Sequence, residues 1–84
     1  MSLDELSLLR LRVVADADPT ALVRVLERFQ NLNVVPRKVL GEVCITGVFH
    51  VEVDVTGIAE GTLERIAAKL AETPCIHSAS WHRP

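Results

Sequence analysis

Apolar and polar side chains alternate from Leu8 to Ala15: Leu9, Leu11, Val13 and Ala15 fall on one side, Arg10 and Arg12 on the other. A period of two sustained over such a run marks a strand with one buried face. The pattern breaks at Asp16-Ala17-Asp18-Pro19, where Asp18 can cap free backbone N–H groups and Pro19 suits the first position of a helix. Ala21, Leu22, Val25, Leu26, Phe29 and Leu32 then recur at helical spacing, with Arg24, Glu27 and Arg28 outside. Asn33 suits the left-handed residue that ends such a helix.

The next extended stretch, Val34 to Val39, contains Pro36, which cannot donate to a ladder, so this strand belongs at a sheet edge. A loop over Leu40 to Gly47 leads into the clearest alternation in the chain. There Phe49, Val51, Val53 and Val55 face inward and His50, Glu52 and Asp54 face outward. Glu60 to Glu72 reads as a second helix with Leu63, Ile66, Ala67 and Leu70 as its stripe; its start is weakly marked and Thr73-Pro74 ends it. A last strand covers Ile76 to His82, with Ala79 and Trp81 on one side and Ser78 and Ser80 on the other.

The order is βαββαβ, an α+β, ferredoxin-like arrangement: a four-stranded antiparallel sheet with two helices on one face. The first and third strands become central neighbours, which sets Arg10 and Arg12 on the same open face as Glu52 and Asp54. Cross-strand pairs of opposite charge there contribute about 0.2–1 kcal/mol each. Residues 1–6 form a lead-in and 7–84 a single domain.

Composition narrows the function. Of 84 residues, 49% are hydrophobic, enough for a core, but a chain this short exposes much surface for its volume, which favours self-association. A net charge of −2 and three aromatic residues (Phe29, Phe49, Trp81) offer neither a basic footprint nor a stacking platform, so nucleic acid is not expected as a partner. No run is long enough to span a membrane, and the acidic start Met1-Ser2-Leu3-Asp4-Glu5 does not read as a signal peptide, so a cytoplasmic protein with free Cys44 and Cys75 is expected.

The opening Val13-Val14-Ala15-Asp16-Ala17-Asp18-Pro19-Thr20-Ala21-Leu22-Val23-Arg24-Val25-Leu26 resembles that of an ACT domain, a small ligand-binding module of many enzymes of amino-acid metabolism. The likeness runs from Leu8 to Trp81. With the strand Val51-Glu52-Val53-Asp54-Val55, it is most similar to the short acetolactate synthase small subunits. The resemblance implies a non-catalytic regulatory module, homodimeric, docking on a larger catalytic subunit. Its alternative is a free-standing sensor that binds an amino acid or similar metabolite at a dimer interface, through Asp16, Ala17, Asp18, Thr20, Val34 and Val35. Ligand-binding members usually carry glycine where Thr20 stands and asparagine where Val35 stands.

Taken by themselves, Asp16, Asp18 and Thr20 lie at a helix N-terminus, where a polar ligand could sit. The plainer reading makes Asp18 a cap and Asp16 a turn residue. Cys75, His77, His82 and His50 lack metal-ligand spacing, and strand alternation sends His77 and His82 to opposite faces, so no metal is expected. Glu52 and Asp54 read as a solvated pair on a flat face with no cleft to tune them. No cysteine or serine sits in a nucleophile signature, so neither catalysis nor a cofactor is expected. The last strand carries no guarding lysine or proline at its edge, a further reason to expect a dimer.

Overall fold

The computed structural model describes residues 7–84; the expected lead-in, 1–6, lies outside the described residues. Six elements follow in the order β1 (Leu9–Asp16), α1 (Pro19–Asn31), β2 (Lys38–Val43), β3 (Val48–Val55), α2 (Glu60–Ala71) and β4 (Ile76–His82). The strands form one antiparallel sheet in the order β2-β3-β1-β4, so the expected βαββαβ fold is present, with β1 and β3 at its centre.

The buried core is most of the set the periodicities marked out, with Leu22, Leu26 and Phe49 only half-buried and Leu32, at the end of α1, exposed. Leu9, Leu11, Val13 and Ala15 from β1 and Val51, Val53 and Val55 from β3 meet Ala21, Val25 and Phe29 of α1 and Leu63, Ile66, Ala67 and Leu70 of α2. Residues at even positions of β1 point to the other side of the sheet, which no helix covers. Ala79 and Trp81 of β4 pack partly against the core, while Ser78 and Ser80 are exposed on the open face.

Both ends of α1 form as its sequence dictates. The Asp18 carboxylate accepts from the backbone N–H of Thr20 at 2.8 Å, and Pro19 takes the first turn. At the other end Asn33 adopts φ 57°. The N–H of Asn33 donates to Gln30 and that of Val34 to Phe29, each at 2.9 Å, which is the paired closure of a Schellman ending. The second helix starts on Ala59 with no side-chain cap, in keeping with its weak sequence signal.

The second strand is displaced from its expected place. It runs over Lys38–Val43 rather than Val34 to Val39, and only Cys44 to Gly47 remain as turn between β2 and β3. The N–H of Val34 is already committed to the end of α1 and Pro36 has none, so the ladder cannot begin before Arg37, whose N–H donates to the Asp54 carbonyl at 2.7 Å. The turn closes tightly: Cys44 N–H donates to Val48 at 2.8 Å, and Gly47 takes φ 83°. Mid-strand, Gly41 makes room for Phe49, whose ring atom Cζ would stand 3.1 Å from a Cβ there.

Candidate functional site

The helices lie over β1, β3 and β4 and stop short of β2. Along that margin an apolar groove runs between α1 and β2. Because α1 descends while β2 climbs, the groove has two ends. At the upper end Ala17, Asp18, Pro19, Leu22, Val43 and Phe49 enclose a hollow of about 300 Å³. At the lower end Leu26, Phe29, Val34, Val35, Pro36 and Val39 surround one of about 400 Å³. Val35, Val39 and Val43 remain 89%, 41% and 59% exposed, an apolar margin left uncovered within one chain.

The residues expected to hold a ligand divide between these ends. Ala17 and Asp18 border the upper hollow, with Asp16 and Thr20 beside them in sequence; Val34 and Val35 border the lower one. A 13-residue helix separates the two groups by about 20 Å, so within one protomer they are not a single site.

The polar members are also already engaged. The Asp18 carboxylate accepts from both the N–H and the hydroxyl of Thr20 at 2.8 Å, and these bonds hold its pKa below the ordinary carboxylate value, the backbone N–H foremost. Asp16 does more than turn the chain: its carboxylate lies 2.7 Å from His77 Nε2, and its N–H donates to the Cys75 carbonyl at 2.9 Å. The Asp16–His77 pair was not foreseen from sequence. It depends on a bulge where β1 meets β4, between Val14 and Ala15. That bulge corrects the expectation that His77 and His82 face opposite ways. Ile76 keeps to the core opposite Ala15, and His77 is freed to reach Asp16 on the open side, the side of Arg10 and its neighbour His82.

The open face departs from the flat, solvated surface expected of it. Its first row crosses all four strands as Lys38, Asp54, Arg10 and His82. Arg10 grips Asp54 through Nε at 2.7 Å and Nη2 at 3.0 Å, and Asp54 is buried under this fork. The hydrogen bond from Arg10 outweighs the effect of burial and holds the Asp54 pKa below the ordinary value. Beyond that row the twisted sheet is concave: Arg12, Val14, Leu40, Glu42, His50 and Ser78 are among the residues lining a hollow of about 500 Å³.

Cys44 and Cys75 are free and partly buried. Among the described residues, no group of three or more His, Cys, Asp or Glu side chains is placed to hold a metal ion, and no helix is long and apolar enough to cross a membrane.

No family model and no curated protein matches the chain in sequence. Solved structures do match in shape. The C-terminal domain of the MgtC protein from Mycobacterium tuberculosis superposes with TM-score 0.75 at 16% identity, over 92% of this chain and 86% of that one. The ACT domain from GTP pyrophosphokinase of Chlorobium tepidum gives 0.72 at 12% identity, over 89% and 96%. The regulatory subunit of aspartate kinase from Thermus flavus gives 0.68 at 16% identity, over 93% and 52%. At these identities the likeness is one of fold: the chain has the ferredoxin-like fold of ACT domains. None of these three likenesses points to acetolactate synthase small subunits in particular.

Proposed function

We propose that the chain is a non-catalytic, ACT-like regulatory module that pairs with a second copy along β2 and binds an amino acid or similar small metabolite across the junction. The observation that carries this reading is the division of the expected ligand residues between the two ends of one uncovered apolar groove. Antiparallel pairing of β2 with its copy about a two-fold axis at Gly41 sets Val39 of each chain against Val43 of the other, on the groove side. The two-fold then carries the Val34–Val35 end of one copy to the Asp16–Thr20 end of the other, so that each junction assembles from both chains what neither has alone. Leu22, Val43 and Phe49 would take an apolar side chain, and the Asp18 carboxylate at the rim favours an ammonium group. The same pairing satisfies the free N–H and C=O groups of the edge strand.

Light scattering on the eluting protein is expected to give twice the 9.2 kDa chain mass. Val39→Lys with Val43→Lys sets like charges against each other at the axis and is expected to give a folded monomer by circular dichroism. A panel of amino acids is expected to raise the melting temperature of the dimer, since a ligand at about 100 times its Kd adds about 2.7 kcal/mol, and to leave the monomeric variant unmoved. A wild-type monomer at micromolar concentration, or an undiminished shift in the variant, overturns the reading.

A second reading, that the module docks on a larger catalytic subunit as acetolactate synthase small subunits do, is favoured by Ile45 and Val23, which stand 106% and 54% exposed. Co-purification with a catalytic subunit, lost on Ile45→Asp, is its test.

A further inference from the structure

We propose that the concave open face of the sheet is a second binding site, for an extended zwitterion of dipeptide length, its carboxylate held by Arg12 with Ser78 and Ser80 and its ammonium by Glu42. The hollow of about 500 Å³ has an apolar floor in Val14 and Leu40, with Arg12 towards one side, Glu42 at the other and Glu52, the register partner of Arg12, between them. Arg12 and Ser80 are register partners on β1 and β4, and Ser78 follows one step along, opposite Val14. A guanidinium with two exposed hydroxyls beside it is a carboxylate-binding set. The nearest acid to Arg12 among the described residues is Glu52, at 4.0 Å, so its five donors remain largely free; its side chain is 59% exposed. Glu52 is shared with Arg10 at 3.4 Å and is a poor anchor for an ammonium. Glu42 forms no ion pair among the described residues and stands opposite His50 on the far side of the hollow.

Register fixes the length of the ligand. Glu42 and Val14 align through His50, and Arg12 is two residues further along β1. Two inter-strand spacings and one two-residue step put the Arg12 and Glu42 backbones about 12 Å apart. A lone α-amino acid carries its charges on neighbouring atoms and reaches one side at a time. One further peptide unit adds about 3.5 Å and lets both ends engage. The site is independent of the groove between α1 and β2, and pairing about Gly41 leaves Glu42 on the open face.

The test is an amide NMR titration of the whole chain with L-alanyl-L-alanine, its N-acetylated and C-amidated forms, and free alanine. The dipeptide is expected to shift amides of Arg12–Val14, Leu40–Glu42 and Ser78–Ser80, with each blocked form and free alanine weaker. Arg12→Gln and Glu42→Gln are each expected to raise the Kd about ten-fold, the equivalent of one charge-assisted hydrogen bond. Arg12→Gln should cost the amidated peptide nothing further, and Glu42→Gln should likewise spare the acetylated one. Shifts confined to Ala17–Leu22 and Val43–Phe49, no shifts at all, or an unchanged Kd in both variants would overturn the proposal. So would a change in sedimenting mass with either variant, which assigns the face to contact between subunits. Retained spectral dispersion in the variants separates these outcomes from misfolding.

Discussion

Arg10 holds Asp54 through two nitrogens in the end row of the open face, and this pair governs how the domain responds to acid. The Asp54 carboxyl titrates lower in the folded chain than in the unfolded one, chiefly because of the Arg10 hydrogen bonds. Its stabilisation is therefore complete above the unfolded value of about 3.9 and is lost as pH falls through the lower folded value. Asp54→Asn is expected to lose about 1.5–3 kcal/mol at pH 7 in urea unfolding and to show a flatter decline than wild type between about pH 5 and the acid limit. An unchanged acid limb in the variant would show that other groups govern it. The residue pattern set Arg10 and Asp54 on one face of neighbouring strands; their direct pairing and the burial of the carboxylate were not legible, because they follow from the register, from the fork of Arg10 and from Lys38 arriving on a third strand.

Among the elements, α1 was the most legible because its signals are local. Asp18, Pro19 and Asn33 each act within a few residues, and each does what its side-chain chemistry favours. Asn33→Gly is expected to leave stability unchanged or slightly raised, since φ 57° is free of strain for glycine. Asn33→Val is expected to cost about 1–2 kcal/mol, the penalty of a β-branched residue in the left-handed region; equal stabilities in chemical denaturation would remove the cap from the account. The strand β2 was read too early for a reason of the same kind in reverse. All its residues are exposed, so neither face is selected for alternation, and Val39 and Leu40 are apolar on opposite sides. Its start is set by the end of α1, where Phe29 claims the Val34 N–H, and by a partner distant in sequence, Asp54, whose carbonyl accepts from Arg37.

For the molecule as a whole, stability rests on one small core shared by two helices and two central strands. Phe29 lies at its heart, 1% exposed, and Phe29→Ala is expected to cost about 3–5 kcal/mol in urea unfolding, a large part of what a domain of this size has. A loss below about 1 kcal/mol would mean the site collapses around the gap. Fold class, strand order and core residues follow from the sequence because period and capping are short-range properties and one apolar face admits few arrangements. The sequence also marked Asp16–Thr20 and Val34–Val35. That they stand at opposite ends of one groove, that a bulge turns His77 to Asp16, and that a twisted sheet makes the open face concave were decided by the tertiary structure. Each depends on register and twist, which bring together residues that no local pattern relates.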